Sequence, residues 1–337
     1  MSNGIKAIKD LGFPWTTQDP FLFCVYHEDH YPKGNGEMGP DADLSNRPLG
    51  NDFQKKDGYR MYHGSKVPGF PSHPHRGFET VTIVNKGFAD HTDSMGAAGR
   101  FGNGDVQWMT AGAGVQHSEM FPLLDEESPN DLDLFQIWLN LPARDKMVRP
   151  HFKMLWREDI PVFTETDSAG NDSKIQLIAG TWNTNKAPDP APNSWAANSD
   201  HDVAIYRISM AAQAELQLPK TAAHTNRSLY FYKGNEVFVN DTKFTYFKAI
   251  ELESEAAITL KNGDQPSEFL VLQGKPINEP VVQYGPFVMN TEAEIQEAYA
   301  DYQRTQWGGW PWPKHEYTHP KEQGRFALHA DGTREER

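Results

Sequence analysis

Short runs rich in β-branched and aromatic residues recur along this chain, each closed by Gly, Pro, Asn or Asp: FLFCVYHE, ETVTIVN, DVQWMTAG, LDLFQIWLNL, IQLIAGTW, DVAIYRISM, SLYFYKG, NEVFVND, AAITLKNGD and EFLVLQG. Runs this short cannot bury the face of a helix, and the turn residues between them forbid longer elements. Many brief strands with frequent turn signals form sandwiches or barrels rather than alternating strand and helix layers. The chain is therefore expected to be all-β. Its 337 residues, 38% hydrophobic and 12% aromatic, suit one large domain or two ordinary ones.

The run SLYFYKGNEVFVNDTKFTYFKAIELESEAAITLKNGDQPSEFLVLQGKP repeats the strand-and-turn grammar of the first half, which suggests a duplicated barrel. Between the halves, LNLPARDKMVRPHF leaves a strand through Pro142 and Pro150, and the stretch from Trp182 to Asp202 is rich in Pro, Asn, Asp and Ser. The expected division is 1–150, 151–290 and 291–337. One convincing helix lies in the last part. In NTEAEIQEAYADYQR, Thr291 and Glu294 form a capping box, and Ile295, Ala298, Tyr299 and Tyr302 share one face. The tail beyond it carries Trp307, Trp310 and Trp312, read as aromatic anchors that clamp the tail onto its own domain, with the last six or so residues frayed.

Charge narrows the function. With 32 Lys+Arg against 46 Asp+Glu the net charge is -14, and no basic run offsets it, so no direct nucleic-acid partner is expected. The N-terminal MSNGIKAIKDLGFPWTTQDP has no apolar stretch suited to a leader or membrane span, so the expected setting is cytoplasmic, away from membrane. No Gly-x-Ser-x-Gly elbow or P-loop is present, and GAGVQH lacks the third glycine of a dinucleotide site.

The histidines carry the chemistry. In the FPSHPHRGFE stretch, His73 and His75 flank Pro74, and residues two apart in extended chain project to one face. A second pair, His117 and Glu119, follows a glycine-rich turn containing Gly112 and Gly114. Side by side, the two segments bring together three imidazoles and one carboxylate, a set suited to Fe(II), Mn(II), Ni(II) or Zn(II) with open positions for substrate or dioxygen. Taken singly, His-x-His and His-x-Glu are commonplace in turns and on surfaces. The second half has only His224 in the corresponding region, so no such set assembles there.

The segments HPHRGFETVTIVNKG, GDVQWMTAGAGVQHSEM, FQIWLNLPARDKM and YGPFVMNTEAEI, in this order, resemble the pirin family of the cupin superfamily from about Asp19 to Arg304. The resemblance implies two stacked cupin-type β-barrels, a bicupin, with a C-terminal α-helix and one metal, usually iron, in the N-terminal barrel. It places the family's metal ligands on His73, His75, His117 and Glu119. Glu79 stands where many cupins have a further metal-binding glutamate; here it is expected to support the ligands from behind. Gln107 and Gln136 are candidate pocket residues, although a buried, satisfied glutamine explains each equally well. The implied activity is a quercetin 2,3-dioxygenase-like oxidoreductase acting on a flavonol-like substrate and O2, with Glu119 as a candidate proton acceptor. The alternative is a metal- or redox-sensing regulator that works by binding another protein.

Overall fold

The computed structural model describes residues 3–337. Strands dominate, as the short apolar runs require, and the single α-helix among the described residues is Glu292–Thr305. None of the described helices is long and apolar enough to cross a membrane. The chain forms two compact units that are discontinuous in sequence, whereas the expected segments were continuous. One comprises Tyr26–Ile137, Leu141–Trp156 and Glu279–Arg337, and the other comprises the chain up to Val25, Trp138–Asn140 and Arg157–Asn278.

In the unit that begins at Tyr26, one sheet sets side by side His151–Leu155, Val106–Thr110, Phe78–Lys86 and the unit's portions of Asn130–Asn140 and Phe21–Tyr31. The other has the order Arg334–Glu336, Phe326–Leu328, Ala98–Gly102, Phe88–Asp93, Val115–Met120, Gly69–His75. Val115–Met120 is buried at every residue and Phe78–Lys86 at its first seven. Their neighbours Val84, Phe101, Phe121, Leu134 and Phe152 form one core cluster. Each fully buried side chain of this kind contributes about 1.5–3 kcal/mol. The ladders described in this unit form these two separate sheets. Gly69–His75 ends its sheet, and its register shifts between Phe70 and His73. Pro71 and Pro74 lie within it and have no N–H to offer a further strand, which suits an edge.

The helix begins where its cap dictates. Thr291 accepts from the Glu294 amide at 3.2 Å, while the Glu294 carboxylate accepts from the Thr291 amide at 2.8 Å. Ile295 and Ala298 are buried with Phe287 and Met289, and Tyr299, Tyr302 and Trp307 pack against them. Beyond it the tail is anchored. The Trp312 indole donates to the Asp93 carbonyl at 2.8 Å, and the Arg100 guanidinium donates to the carbonyls of His319, Pro320, Lys321 and Gln323. The end of the chain is not frayed as expected, because Arg334–Glu336 pairs with Phe326–Leu328, which in turn pairs with Ala98–Gly102.

In the second unit a seven-stranded sheet has the order Ile5–Asp10, Lys248–Leu252, Asn226–Lys233, Ser267–Gly274, Ala204–Met210, Asp172–Ala179, Val162–Thr166. A four-stranded sheet has the order Glu215–Leu218, Ile258–Asn262, Glu236–Val239, Thr242–Thr245. Ile175, Ile208, Leu229, Phe231, Leu260 and Phe269 belong to its core.

Candidate metal centre

Antiparallel pairing of Gly69–His75 with Val115–Met120 sets His73 opposite His117 and Phe70 opposite Glu119. Cross-strand partners share a face, so the two sequence pairs meet as the spacing required. His73, His75 and His117 each offer a nitrogen, and these atoms lie within 4.8 Å of one another. Ring centroids are 4.5 Å apart for His73 and His117, 4.7 Å for His73 and His75, and 4.9 Å for His75 and His117. His75 and His117 are buried and His73 is half-buried.

Carbonyl groups orient two of the rings. Nδ1 of His73 lies 2.8 Å from the Pro71 oxygen, and Nδ1 of His75 lies 3.4 Å from the Pro286 oxygen. A carbonyl only accepts, so each Nδ1 carries the proton and each Nε2 presents a lone pair, the usual arrangement behind a metal-ligating histidine. Both nitrogens of His117 are buried without a hydrogen-bond partner in the chain. Leaving such atoms unsatisfied costs about 1–3 kcal/mol each, which a bound cation would offset. Burial, with a smaller opposing contribution from the Pro71 carbonyl, pushes the His73 imidazole down to about 4. Burial and the neighbouring imidazoles hold His75 and His117 well below the usual histidine range. All three are thus neutral at pH 7, the form that binds metal, and this nitrogen-rich set fits a divalent transition ion.

Glu119 adjoins the cluster, its Oε2 being 3.7 Å from Nε2 of His117. Gln136 donates to the same oxygen at 2.7 Å and Thr82 to Oε1 at 3.3 Å. Burial raises the Glu119 carboxyl above its ordinary range, and His91, Gln136 and Thr82 oppose the rise. Glu79 lies on the same strand as Thr82 at an odd spacing from it, so it points to the opposite face. There it accepts from the Thr110 hydroxyl at 2.7 Å. Thr82 and Gln136, rather than Glu79, hold Glu119. Gln107 is opposite Thr82 in the sheet, and both ends of its buried amide lack a hydrogen-bond partner.

Two neighbours were passed over in the sequence. His91 is the cross-strand partner of Glu119 and Asp93 that of His117. The spacing that singled out His-x-Glu also describes His91-x-Asp93, and the two side chains meet at 3.3 Å. His91 stacks on Phe152, with centroids 4.9 Å apart. Thr82 gave no signal, because an isolated threonine in a strand is ordinary.

Residues 13–139 match the Pirin family, and residues 205–308 match the Pirin C-terminal cupin domain. A Pseudomonas aeruginosa protein named "Putative quercetin 2,3-dioxygenase" is 36% identical over 244 residues, covering 70% of this chain and 78% of that protein. A pirin-like protein of Solanum lycopersicum is 34% identical over 270 residues, covering 78% of this chain and 86% of its own. The crystal structure of a quercetin 2,3-dioxygenase from Acinetobacter baumannii superposes with a TM-score of 0.68 at 29% identity, covering 91% of this chain and 96% of that one. The fold is thus the cupin-type two-domain arrangement with its C-terminal helix. The chain belongs to the pirin family.

Proposed function

We propose that this protein is a metal-dependent dioxygenase of the quercetinase type, with His73, His75, His117 and Glu119 holding one divalent transition metal, Fe(II) before Mn(II), Ni(II) or Zn(II). The observation that carries the reading is the convergence of three neutral imidazoles, with donor atoms within 4.8 Å, beside a buried carboxylate. The names of the Pseudomonas relative and the Acinetobacter structure support a flavonol-like substrate and O2.

When bound, such a metal supplies Lewis acidity that lowers the pKa of a coordinated substrate hydroxyl and gives O2 a site of activation. The chain does the rest. The carbonyls of Pro71 and Pro286 fix the ring orientations of His73 and His75. The buried rings of His75 and His117 keep water from the inner side, while the half-buried His73, in edge contact with Phe70 at 6.2 Å, marks the accessible side. Glu119, with its raised pKa, is the group placed to accept the substrate's hydroxyl proton, and Gln136 and Thr82 hold its two oxygens in position.

Anaerobic reconstitution with Fe(II), followed by oxygen uptake with quercetin, tests this against His73→Ala. Metal-dependent uptake that vanishes in the variant is the expected result. Stoichiometric iron binding without uptake sinks the dioxygenase reading and leaves a metal-sensing regulator acting through another protein.

A further inference from the structure

The second unit buries an arginine whose hydrogen-bonding capacity the chain leaves partly unused. Arg227 is the second residue of the strand Asn226–Lys233 and is 1% exposed. Its Nη1 donates to the Pro219 carbonyl at 2.9 Å, while Nε and Nη2 are buried with no hydrogen-bond partner. Those two atoms form one edge of the guanidinium, the edge that takes a carboxylate in a two-pronged grip. Arg100 in the first unit shows that grip completed, with Nε at 2.6 Å and Nη2 at 2.7 Å from the two oxygens of Asp90. Arg227 presents the same edge without the carboxylate. Tyr206 and Asp202 favour the charged guanidinium electrostatically, but neither bonds this edge, and buried donors left without a partner are costly.

The surroundings define what fits. Arg227 is flanked across the sheet by Leu252 on one side and Gln273 on the other. Gln273 directs its amide nitrogen to Asp202, at 3.2 Å from Oδ1, which leaves its buried Oε1 as an acceptor with no donor. Asp202 is itself engaged, since its Oδ2 accepts from the Ala222 amide and the Thr225 hydroxyl, each at 2.8 Å. Tyr206 turns its hydroxyl to the Thr181 carbonyl at 3.2 Å. A cleft of about 300 Å³ lined by Thr181, Asp202, Val203 and Ala204 among others borders this end of the sheet, where Ala204 pairs with Gln273 and Gln273 with Arg227.

We propose that Arg227 binds a small carboxylate anion inside the second unit, its Nε and Nη2 gripping the two oxygens, with Gln273 Oε1 accepting from a hydroxyl of that anion. The site is separate from the histidine cluster and does not depend on the reaction proposed there.

The test uses the full-length protein and titrates acetate and glycolate by calorimetry, with chloride as the control anion. Saturable carboxylate binding is expected, tighter for glycolate, and weakened at least tenfold in Arg227→Lys, which keeps the charge but loses the two-pronged edge. Gln273→Leu should retain acetate binding and lose the preference for glycolate. Arg227→Met should be at least as thermostable as the wild type in carboxylate-free buffer and gain nothing from acetate. Absence of saturable binding in the wild type overturns the proposal, and so does equal binding in the Arg227 variants. A crystal structure grown in formate gives a reading that needs no variant: formate on the Nε and Nη2 edge is expected, and water alone at that edge refutes the site.

Discussion

Replacing Gly114 with alanine tests whether the tail is seated on the turn that leads to His117. Gly114 has φ +134°, and an added Cβ would lie 2.4 Å from Cδ2 and Cε2 of Trp307. Ordinary contact begins at 3.4 Å, so ring or turn must yield by about 1 Å. The indole is not free to swing: Arg76 lies over it at 4.7 Å, Asp301 accepts from its Nε1 at 3.2 Å, and the rings of Tyr302 and Phe287 pack at 5.0 and 5.5 Å. Backbone strain at such a φ costs about 1–3 kcal/mol. Overpacking against a rigid ring adds about 1–3 kcal/mol. Gly114→Ala alone should therefore destabilise by roughly 2–6 kcal/mol. In a Trp307→Ala background only the strain remains, which predicts a coupling of about 1–3 kcal/mol between the two sites. Scanning calorimetry of the wild type, both single variants and the double variant measures it. Additivity within about 0.5 kcal/mol would refute the seating of Trp307 on Gly114.

Two further outcomes follow from the same unit. Glu119→Gln should cut flavonol turnover more than it cuts metal content, whereas a proportional fall in both would show the carboxylate to be a ligand alone. Lys146 is buried with its ammonium on the carbonyls of Gly77 at 2.8 Å and Val288 at 3.2 Å, and burial pushes it down to about 8, against the opposing pull of Glu279 and Glu294. Below pH 8 the folded and unfolded chains both hold this proton, so the burial penalty is fully present. Between pH 8 and the ordinary lysine value the unfolded chain holds more protons, so stability rises with pH, by about 3 kcal/mol in all. Lys146→Met should lack that rise relative to the wild type in denaturant unfolding across pH 8 to 10.5, and parallel profiles for the two proteins would contradict the assignment.

What was legible in the sequence depended on local periodicity. The His73/His75 pair and the His117/Glu119 pair each follow from a spacing of two in extended chain, and the strands that carry them do pair. The capping box of Thr291 and Glu294 formed for the same local reason. The edge position of Gly69–His75 in its sheet was also written in the sequence, since Pro71 and Pro74 withhold amides, but an edge is recognised only once the partner strands are known. The supports of Glu119 were harder to see. Thr82 and Gln136 reach it from strands far away in sequence, and nothing in either local pattern encodes that approach. Glu79 was misleading because a family-like spacing says nothing about which face of a continuous buried strand a side chain occupies; with Phe78 to Val84 all buried, alternation gives no outward signal.

A stricter criterion separates buried polar groups that serve the fold from those that serve a ligand. Arg100 is 1% exposed, yet its guanidinium is occupied on every side by Asp90 and by carbonyls of the tail, and Asp90 also accepts from the His319 amide at 2.8 Å. That arginine ties Ala98–Gly102 to the residues after the helix, and its role is complete within the chain. His117, Gln107 and Arg227 are as deeply buried, but each keeps polar atoms that the chain leaves unsatisfied. Native interiors satisfy the great majority of such atoms, because each orphan costs as much as a lost hydrogen bond. Orphans confined to single positions would reflect local packing defects. Orphaned atoms also occur at isolated positions such as Thr17, Ser173 and Asn290, so an orphan is informative only where its neighbours add a binding geometry, as at the three imidazoles with donor atoms within 4.8 Å of one another and at the Arg227 edge formed by Nε and Nη2.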